Sequence, residues 1–442
     1  MGSDGSRPVP PGRWGAPYVG RALALQRNPF GFLDDGRRRH GNAFKARILG
    51  RPVVFLSGTE GAEAYYRPGN VVRSGGHPYP VADMFGGANM ELLDGPAHLA
   101  VRAVMLQVFD EASMARYLPQ IEDLVGRRLA GWAGVSGHFS ATAELRRLSI
   151  ECLCRNVIGM EPGDATDAMC RDYALVLKGI VSPPLPLPAT GYGRARAARD
   201  RLLSTLRGIV ADRRDAPGDD GLSRMLAGGL SEEAAALELH HLVIAGFVVY
   251  GLMADVLRWL PEAPDLLSRC RAEVAEHAPP GRPLTLDGMG RLETATRVVM
   301  EAKRHAPVVP LTFGRAGRDF TCGRYTVPKG WNVYLALHLC SNDPEVYTGP
   351  ERFDPDRFGP ERAEHRRHPM AFIPQGTGPP TSHVCLGLEY STVLVLAFLA
   401  LLVRDYAWEL PPQDLRYRFD TIPPEHRDGL RVRLRPRAPD GR

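Results

Sequence analysis

The 442-residue sequence predicts a mainly α-helical protein with small β-sheets, an α+β fold. Helical patterns dominate from Pro96 onward, and the stretch from Ser231 to Leu260 contains no helix breaker. Strand-like runs are few and short. With 44% hydrophobic and 24% charged residues, the composition is that of a globular protein and excludes a disordered chain, a collagen-like repeat or a coiled coil.

The chain is predicted to form one domain with short appendages. Residues 1–20 contain four prolines and are expected to be an irregular proline-rich arm. Residues 21–434 are expected to form a single catalytic domain, and residues 435–442 a flexible tail. We find no internal repeat and no linker that would divide the domain.

The elements follow in order along the sequence. The run PVVFL at 52–56 is typical of a strand, and a helix is predicted to start at Pro96 and to reach Phe109. Helical pattern returns near Ala165, stops in the proline-rich loop 182–193, and resumes from 194 to 214. A further helix is predicted over 291–305, followed by strand-like pieces at 320–328 and 332–339 and by a long coil over 341–382.

The breaker-free stretch is predicted to be the central helix. Ser231 is a suitable N-cap, and the acidic Glu232 and Glu233 suit the first turn. Thirty helical residues span roughly 45 Å. The middle of this helix, LVIAGFVVYGLMA, is apolar on every side, which predicts a helix through the core of a large fold and not a membrane span.

Charge and cysteine content exclude several classes of protein. Lys+Arg total 55 and Asp+Glu 50, a net charge of only +5 without basic blocks, so nucleic acid is not an expected partner. The first twenty residues lack a signal-peptide pattern, and we expect a cytoplasmic protein. Seven irregularly spaced cysteines do not predict a disulfide framework. Only four basic residues are lysines, which is typical of a GC-rich bacterial genome.

One cysteine stands where chemistry is expected. Cys385 ends the glycine-rich segment FIPQGTGPPTSHVCLG (372–387), and a helix with an apolar run over 392–403 follows it. A cysteine before a helix lies near the positive end of the helix dipole, which lowers its pKa and favours the metal-binding thiolate. Gly387 leaves room for a flat group.

Three motifs in this order resemble the haem-thiolate family, cytochrome P450. They are Glu301-x-x-Arg304, the segment GPERF with Arg352, and the glycine-rich loop that ends in Cys-Leu-Gly. The resemblance extends from Pro10 to about Leu434. It implies a cytochrome P450 fold that contains one haem b (iron protoporphyrin IX) between the central helix and the cysteine loop with its C-terminal helix, and it implies Cys385 as the iron ligand.

The resemblance also implies roles for other side chains. Glu301, Arg304 and Arg352 would form a buried structural network. The haem would be bound by Cys385 and by the following residues: His98, Arg102, Arg315, His383, Gly387, Ala245 and Gly246. Of these, His98, Arg102, His383 and, more weakly, Arg315 would be partners of the two haem propionates.

Two features depart from the family. Its central helix usually carries an acid–alcohol pair that relays protons, whereas here Val248 and Val249 follow Phe247. His241 shares a helical stripe with Ala245 and is a candidate catalytic or substrate-binding substitute, with a hydrogen-bonded core histidine as the alternative. The cysteine loop is also longer: thirteen steps separate Phe372 from Cys385, against the usual seven.

The longer loop resembles the peroxide-using fatty-acid branch of the family. That branch places an Arg-Pro pair in the central helix, where this sequence has two valines. The loop PLPLPATGYGRA (184–195) instead resembles a branch that handles sterols, retinoids and other lipophilic molecules. We expect an uncharged, partly aromatic or prenylated substrate in a pocket walled by Met84, Phe85, Phe247, Val248 and Val249.

Four functions therefore remain open. The first is an oxidising or cyclising enzyme of bacterial specialised metabolism that does not use the acid–alcohol relay. The second is a conventional hydroxylase served by ferredoxin and ferredoxin reductase, for which Arg357, Arg362, Arg366 and Arg367 could form a docking face. The third is a hydrogen-peroxide-dependent peroxygenase, and the fourth a non-catalytic haem sensor. We expect a monomer in each case.

Overall fold

Helices make up most of the chain in a computed structural model that describes residues 7–305 and 308–437, as the sequence predicts. The helices before the central helix are α1 (Ala22–Arg27), α2 (Pro29–His40), α3 (Gly58–Tyr66), α4 (Tyr79–Met84), α5 (Gly95–Leu106), α6 (Glu111–Ala133), α7 (Ala141–Leu153), α8 (Asp164–Ile180), α9 (Gly191–Asp215) and α10 (Gly221–Ala227). The remaining helices are α11 (Glu232–Phe247), α12 (Tyr250–Trp259), α13 (Pro264–His277), α14 (Leu286–Gly290), α15 (Glu293–His305), α16 (Leu337–Ser341) and α17 (Leu388–Asp405).

The strands form four small sheets in the described ranges. The strands are β1 (Gly12–Arg13), β2 (Ala43–Ile48), β3 (Arg51–Leu56), β4 (Val71–Val72), β5 (Phe139–Ser140), β6 (Thr312–Ala316), β7 (Phe320–Cys322), β8 (Tyr325–Val327), β9 (Asn332–Leu335), β10 (Tyr406–Glu409), β11 (Tyr417–Arg418), β12 (Glu425–His426) and β13 (Arg431–Pro436). The largest sheet has the order β1-β2-β3-β9-β6-β4, and the others have the orders β10-β13-β5, β11-β12 and β7-β8.

The two ends of the chain differ from the expected appendages. Strand β1 pairs in parallel with β2, with Gly12 opposite Lys45, so the proline-rich arm is joined to the main sheet. Strand β13 continues to Pro436 and so includes the first two residues of the predicted tail. Residues 1–6 of the arm and 438–442 of the tail lie outside the described residues.

Tertiary pairing decides where the strand-like run 332–339 ends. The sequence predicts a strand throughout, but β9 stops at Leu335 and α16 begins at Leu337. Leu335 pairs with Leu56, the last residue of β3, and with Thr312, the first residue of β6. Because both neighbouring strands end there, no partner continues the ladder beyond Leu335.

The central helix is broken in its middle, where the sequence predicts none. Ser231 caps α11 by accepting a hydrogen bond from the Ala234 N–H at 3.2 Å, as expected. Helix α11 ends at Phe247 and α12 begins at Tyr250. The Val249 N–H donates to the Gly246 carbonyl, only three residues earlier, at 3.2 Å, which tightens the last turn.

A hydroxyl from a neighbouring helix stabilises this break. Ser149 Oγ, on α7, donates to the Phe247 carbonyl at 3.1 Å and lies 3.3 Å from that of Gly246. A Cβ at Gly246 would come within 2.7 Å of the Leu153 side chain, so only glycine allows α7 to approach this closely. The kink therefore arises from packing between two helices.

The central helix belongs to the core. The stretch Glu232–Glu262 is long and apolar enough to cross a membrane, but 72% of its most apolar window is buried inside the protein. Its residues pack with those of α6, α7, α15 and α17 in the largest hydrophobic cluster. This agrees with the predicted role as a core helix.

The Ser149→Ala variant tests the stabilisation of the break. We expect it to lower the free energy of unfolding by about 1 to 2 kcal/mol, because two buried carbonyls lose their side-chain donor. Chemical denaturation monitored by circular dichroism measures the change. Ser136→Ala, at an exposed position, is the matched control and should change the unfolding free energy by less than about 0.5 kcal/mol; equal values for the two variants would contradict the prediction.

Candidate functional site

An interior cavity of about 310 Å³ is bordered by the break in the central helix and by the loop that precedes α17. Its wall is mostly apolar, with side chains from α4, α5, α7, α8 and β6. Apolar members of this wall include Val81, Phe85, Met105, Phe109, Leu177 and Ile180. A cavity of this size and character is typical of a site for a small lipophilic molecule.

Cys385 borders this cavity from the loop side. Its backbone N–H donates to the Gln375 carbonyl at 2.9 Å, and its sulfur lies 3.5 Å from the Gln375 Nε2 donor. Burial raises the pKa of the Cys385 thiol, although hydrogen bonds from Gln375 and Gly387 act in the opposite direction. The lowering of the Cys385 pKa by the helix dipole stays a prediction for the metal-bound form.

The central helix forms the opposite wall. Ala245, Gly246, Val248 and Val249 all border the cavity, as the sequence predicts. Phe247 does not, because two residues along a helix place it about 200° away from Ala245. The Phe247 ring is fully buried among aromatic side chains of the core.

Of the two residues predicted from α4 and its end, only one reaches the cavity. Phe85 borders it, whereas Met84 does not. Met84 is fully buried, its side chain packs close to Gly179 of α8, and its carbonyl oxygen lies 2.9 Å from His240 Nε2. The prediction for Met84 was therefore wrong because the side chain serves helix packing.

His241 borders the cavity, whereas its neighbour His240 is a hydrogen-bonded core histidine. His241 Nδ1 lies 3.1 Å from Glu238 Oε2, one turn earlier, and its ring stands edge-on to Phe85. Burial by itself lowers the pKa of His241, but the hydrogen bond and charge of Glu238, with the charge of Glu91, raise it above its usual value. The imidazole is therefore held towards its protonated form.

A second ion pair, between the buried Arg73 and the half-buried Glu91, lies close to His241. Arg73 Nη1 is 3.4 Å from Glu91 Oε1, and His77 Nε2 is 3.1 Å from the same oxygen. Burial raises the pKa of Glu91, but the charge of Arg73 and the hydrogen bond of His77 outweigh it and lower the pKa. This part of the cavity wall thus carries paired charges.

The side chains expected to meet haem propionates lie in different settings. His98 and His383 face each other with ring centroids 3.9 Å apart, and His98 Nε2 is buried without a hydrogen-bond partner. Arg102 donates to the carbonyls of Pro380 and Val384, both at 2.8 Å, and so ties α5 to the cysteine loop. Burial, followed by the charge of Arg73, lowers the pKa of His383 to about 3.

Arg315 is misplaced for the predicted role. Its side chain on β6 is exposed, and it is not among the described residues that border the cavity. Arg73 borders the cavity instead, with its guanidinium donating to Thr312 Oγ1 at 2.6 Å and to the Phe313 carbonyl at 2.5 Å. The two arginines are close in the sheet, because Arg73 directly follows β4, whose last residue, Val72, is opposite Arg315 of β6.

The buried network around Glu301 includes Arg304 as expected, but not the Arg352 side chain. Glu301 Oε2 accepts from Arg304 Nε at 2.6 Å, and its Oε1 lies 3.1 Å from Arg357 Nε. Arg357 also binds Glu364 at 2.8 Å. The Arg352 side chain is 82% exposed and contributes only its carbonyl oxygen, which accepts from both buried arginines.

The sequence therefore misled us about which arginine of GPERFDPDRF is buried. The short 3-10 turn Pro355–Phe358 directs Arg357 inward, where its side chain is fully buried. Arg357 consequently cannot belong to an exposed docking face, and Arg362 is paired with Asp354 and Glu364.

Several functional side chains escaped the sequence analysis. Glu238 could have been found from its spacing of three residues before His241 on one helix. Lys303 lies inside the Glu-x-x-Arg motif, yet the motif does not indicate that it borders the cavity. Arg73 and Gln375 come from loops and Glu91 from the short 3-10 turn Met90–Leu92, and no sequence signal indicates that they meet.

Comparison with known proteins identifies the family. The sequence pattern described as "Cytochrome P450" matches residues 10–423. Abscisic acid 8'-hydroxylase 3 of Oryza sativa subsp. indica is 30% identical over 444 residues, which is 96% of this chain and 86% of that protein. The chain belongs to the cytochrome P450 family. It is thus an oxidoreductase of the monooxygenase type, and the family implies a haem-thiolate cofactor.

Solved structures of cytochromes P450 share this fold. Retinoic acid-bound cyanobacterial CYP120A1 superimposes with a TM-score of 0.90 at 26% identity, covering 98% of this chain and 100% of that one. The ligand-free structure of cytochrome P450 OleT has a TM-score of 0.82 at 19% identity, covering 96% of this chain and 99% of that one. At this identity the similarity supports the fold and no shared activity.

Replacing the two neighbouring arginines separately tests the buried network. Arg357→Ala removes a partner from two buried carboxylates, and we expect it to lower the unfolding free energy by about 3 to 5 kcal/mol. Arg352→Ala is the matched control and should cost less than about 0.5 kcal/mol, because its side chain is in solvent. Denaturant unfolding of both proteins measures the difference, and a larger loss for Arg352→Ala would refute this assignment.

Proposed function

We propose that this cytochrome P450 holds haem b through the Cys385 thiolate and oxidises a small lipophilic molecule. The observation that carries the proposal is that Cys385 and the Ala245–Gly246 segment border one apolar cavity from opposite elements. A planar cofactor between them would meet a sulfur ligand on one face and two small residues on the other. Gly387 also borders the cavity on the sulfur side.

The polar groups of the cavity support this placement of haem. His98 does not itself border the cavity, but its ring lies against that of His383, which does. The buried His98 Nε2 has no hydrogen-bond partner, and a propionate carboxylate that reached it would provide one. His383, Arg102 and Arg73 border the same cavity and would supply further donors. In this proposal Arg73 takes the role that the sequence assigns to Arg315.

The protein's own side chains determine how the substrate lies. When bound, haem supplies an iron centre that activates an oxidant, and the thiolate donates electron density to it. Apolar side chains exclude water and hold the hydrocarbon part of the substrate. His241 then offers Nε2–H, because Nδ1 is engaged by Glu238 and Nε2 has no partner among the described residues.

We therefore propose a lipophilic substrate with one oxygen-bearing polar end. A carboxylate, carbonyl or hydroxyl oxygen would accept a hydrogen bond from His241. The names of two similar proteins concern such molecules, abscisic acid for the rice hydroxylase and retinoic acid for the cyanobacterial structure. The proposed setting is the bacterial cytoplasm and specialised metabolism, with the protein acting as a monomer.

The valine pair at the helix break supports a reaction with little need for a proton relay. Val248 and Val249 border the cavity but can neither donate nor accept a proton through their side chains. An oxidation or cyclisation that avoids proton delivery from the helix fits this wall best. A hydroxylase that draws protons from His241, and a peroxygenase with an extended cysteine loop, are the competing reactions.

Spectroscopy of the purified protein tests haem ligation by Cys385. We expect the reduced wild-type protein to give a carbon monoxide complex with the Soret band of a thiolate-ligated haem. Cys385→Ser should lose that band because the sulfur ligand is gone. Cys340→Ser, at a buried cysteine that does not border the cavity, is the control and should keep it. Retention of the thiolate band in Cys385→Ser would refute the proposal.

The oxidant requirement separates the reactions, with retinoic acid as the probe substrate. A hydroxylase needs dioxygen, NADPH, ferredoxin and ferredoxin reductase, whereas a peroxygenase needs only hydrogen peroxide. Conversion of the probe that needs neither dioxygen, nor peroxide, nor continuous reductant supports the first function, in the form of a redox-neutral cyclisation that does not use the acid–alcohol relay. Spectral binding of the probe without any product under all three conditions would instead support a haem sensor.

The role of His241 is tested by titrating retinoic acid and following the substrate-induced spectral shift. We expect His241→Phe to weaken binding about tenfold or more, because a hydrogen bond from a charged donor contributes about 1.5 to 3 kcal/mol. His138→Phe, at an exposed histidine, should leave the affinity unchanged. Unchanged binding by His241→Phe would remove His241 from the substrate site.

A further inference from the structure

Lys303 is a buried cation without a carboxylate partner in the described chain. It lies on α15, its side chain borders the cavity, and only 6% of the residue is exposed. Its Nζ donates to Thr392 Oγ1, on α17, at 2.8 Å. Within residues 7–305 and 308–437, no Asp or Glu oxygen lies within 4.0 Å of Nζ.

The neighbouring charges on the same helix are already committed to other partners. Glu301 binds Arg304 and Arg357 with both carboxylate oxygens. Lys303 is two residues further along, and therefore about 200° round the helix from Glu301. Its ammonium group thus extends away from the Glu301 network, towards the start of α17.

A buried ammonium group needs a counter-charge or it loses its proton. Desolvation lowers the pKa of Lys303 to about 8, while the negative charge available at Cys385 acts in the opposite direction. Glu91 is the one carboxylate among the described residues that border the cavity, and Arg73 and His77 already engage it. Cys385 borders the same cavity as Lys303 and is the group on this wall that remains to carry the counter-charge.

A polar cluster connects the two groups at the first turns of α17. Thr392 Oγ1 donates to the Leu388 carbonyl, as does Ser391 Oγ. Gln375 Nε2 lies 3.2 Å from Ser391 Oγ and 3.5 Å from the Cys385 sulfur. The cluster holds the neutral Gln375 amide at the sulfur and the Lys303 ammonium group at Thr392, on the first turns of α17.

We propose that Lys303 is the counter-charge of the Cys385 thiolate and raises the reduction potential of the haem iron that this thiolate holds. The inference rests on the proposed haem ligation by Cys385. A positive charge in a low-dielectric site stabilises the form of the cofactor that has gained an electron. It also reduces the electron density that the sulfur donates to the iron. Lys303 is a positioning residue, since it acts through the thiolate.

The test measures the midpoint potential of the purified, haem-loaded protein by anaerobic titration with dithionite and redox mediators. For Lys303→Met, which keeps the length of the side chain but removes its charge, we expect the equilibrium constant for one-electron reduction to fall about tenfold. That change equals a potential about 59 mV more negative. Lys303→Arg retains the charge and should stay close to the wild-type potential.

Two controls separate this inference from haem ligation itself. Lys329→Met removes an exposed lysine and should leave the potential unchanged. The carbon monoxide spectrum of each variant reports whether the thiolate ligand is retained. If the wild-type protein lacks a thiolate spectrum, the proposed ligation fails and the inference fails with it.

If the wild-type spectrum is that of a thiolate and Lys303→Met keeps both spectrum and potential, the inference alone is overturned. Should Lys303→Met fail to retain haem, Lys303→Gln, a neutral side chain able to donate to Thr392, decides by the same titration. A potential about 59 mV more negative, equal to a tenfold smaller equilibrium constant for reduction, supports the proposal, and a wild-type potential refutes it.

Discussion

The buried carboxylate of Glu301 holds together the parts of the molecule on which the site depends. It lies between Arg304 of its own helix and Arg357 of the long coil, and all three side chains are fully excluded from solvent. Arg304 also donates to carbonyls of Ser341 and Pro350, so backbone of the coil is fixed by the same charges. This coil contains only short 3-10 turns. It acquires a defined path because the buried ions are satisfied only along that path.

That path leads to the cysteine loop. Another arginine, Arg102, attaches this loop to helix α5. Arg102 of α5 binds two carbonyls of the loop, Pro380 and Val384, just before Cys385. Arg102 thus fixes the cysteine loop directly, whereas the Glu301 network fixes the coil that precedes it. Cavity residues from elements far apart in sequence are brought together by buried charge and backbone acceptors, with apolar packing around them.

The central helix is broken between Phe247 and Tyr250, although Val248 and Val249 stand there instead of an acid–alcohol pair. Its kink depends on the Ser149 hydroxyl, on the close approach allowed by Gly246 and on one tightened turn, none of which requires an acid or alcohol side chain. The backbone geometry beside the cavity is therefore separable from proton transfer. Polar chemistry in the cavity is concentrated elsewhere, in the Glu238–His241 pair and the Arg73–Glu91–His77 group.

The sequence by itself determined the helix-rich fold and the core position of the central helix, which follow from local periodicity and breakers. Through its resemblance to a family and the spacing of His241 from Ala245, it also pointed to Cys385, Ala245, Gly246 and His241, which border one cavity. All of these signals are properties of neighbouring residues. Only the tertiary structure decided that Arg357 and not Arg352 meets Glu301, that Phe247 and Met84 turn away from the cavity, and that Arg73 and Lys303 border it. The physical reason is that burial of a charge depends on partners distant in the chain, and one residue of offset on a turn or helix exchanges an inward side chain for an outward one.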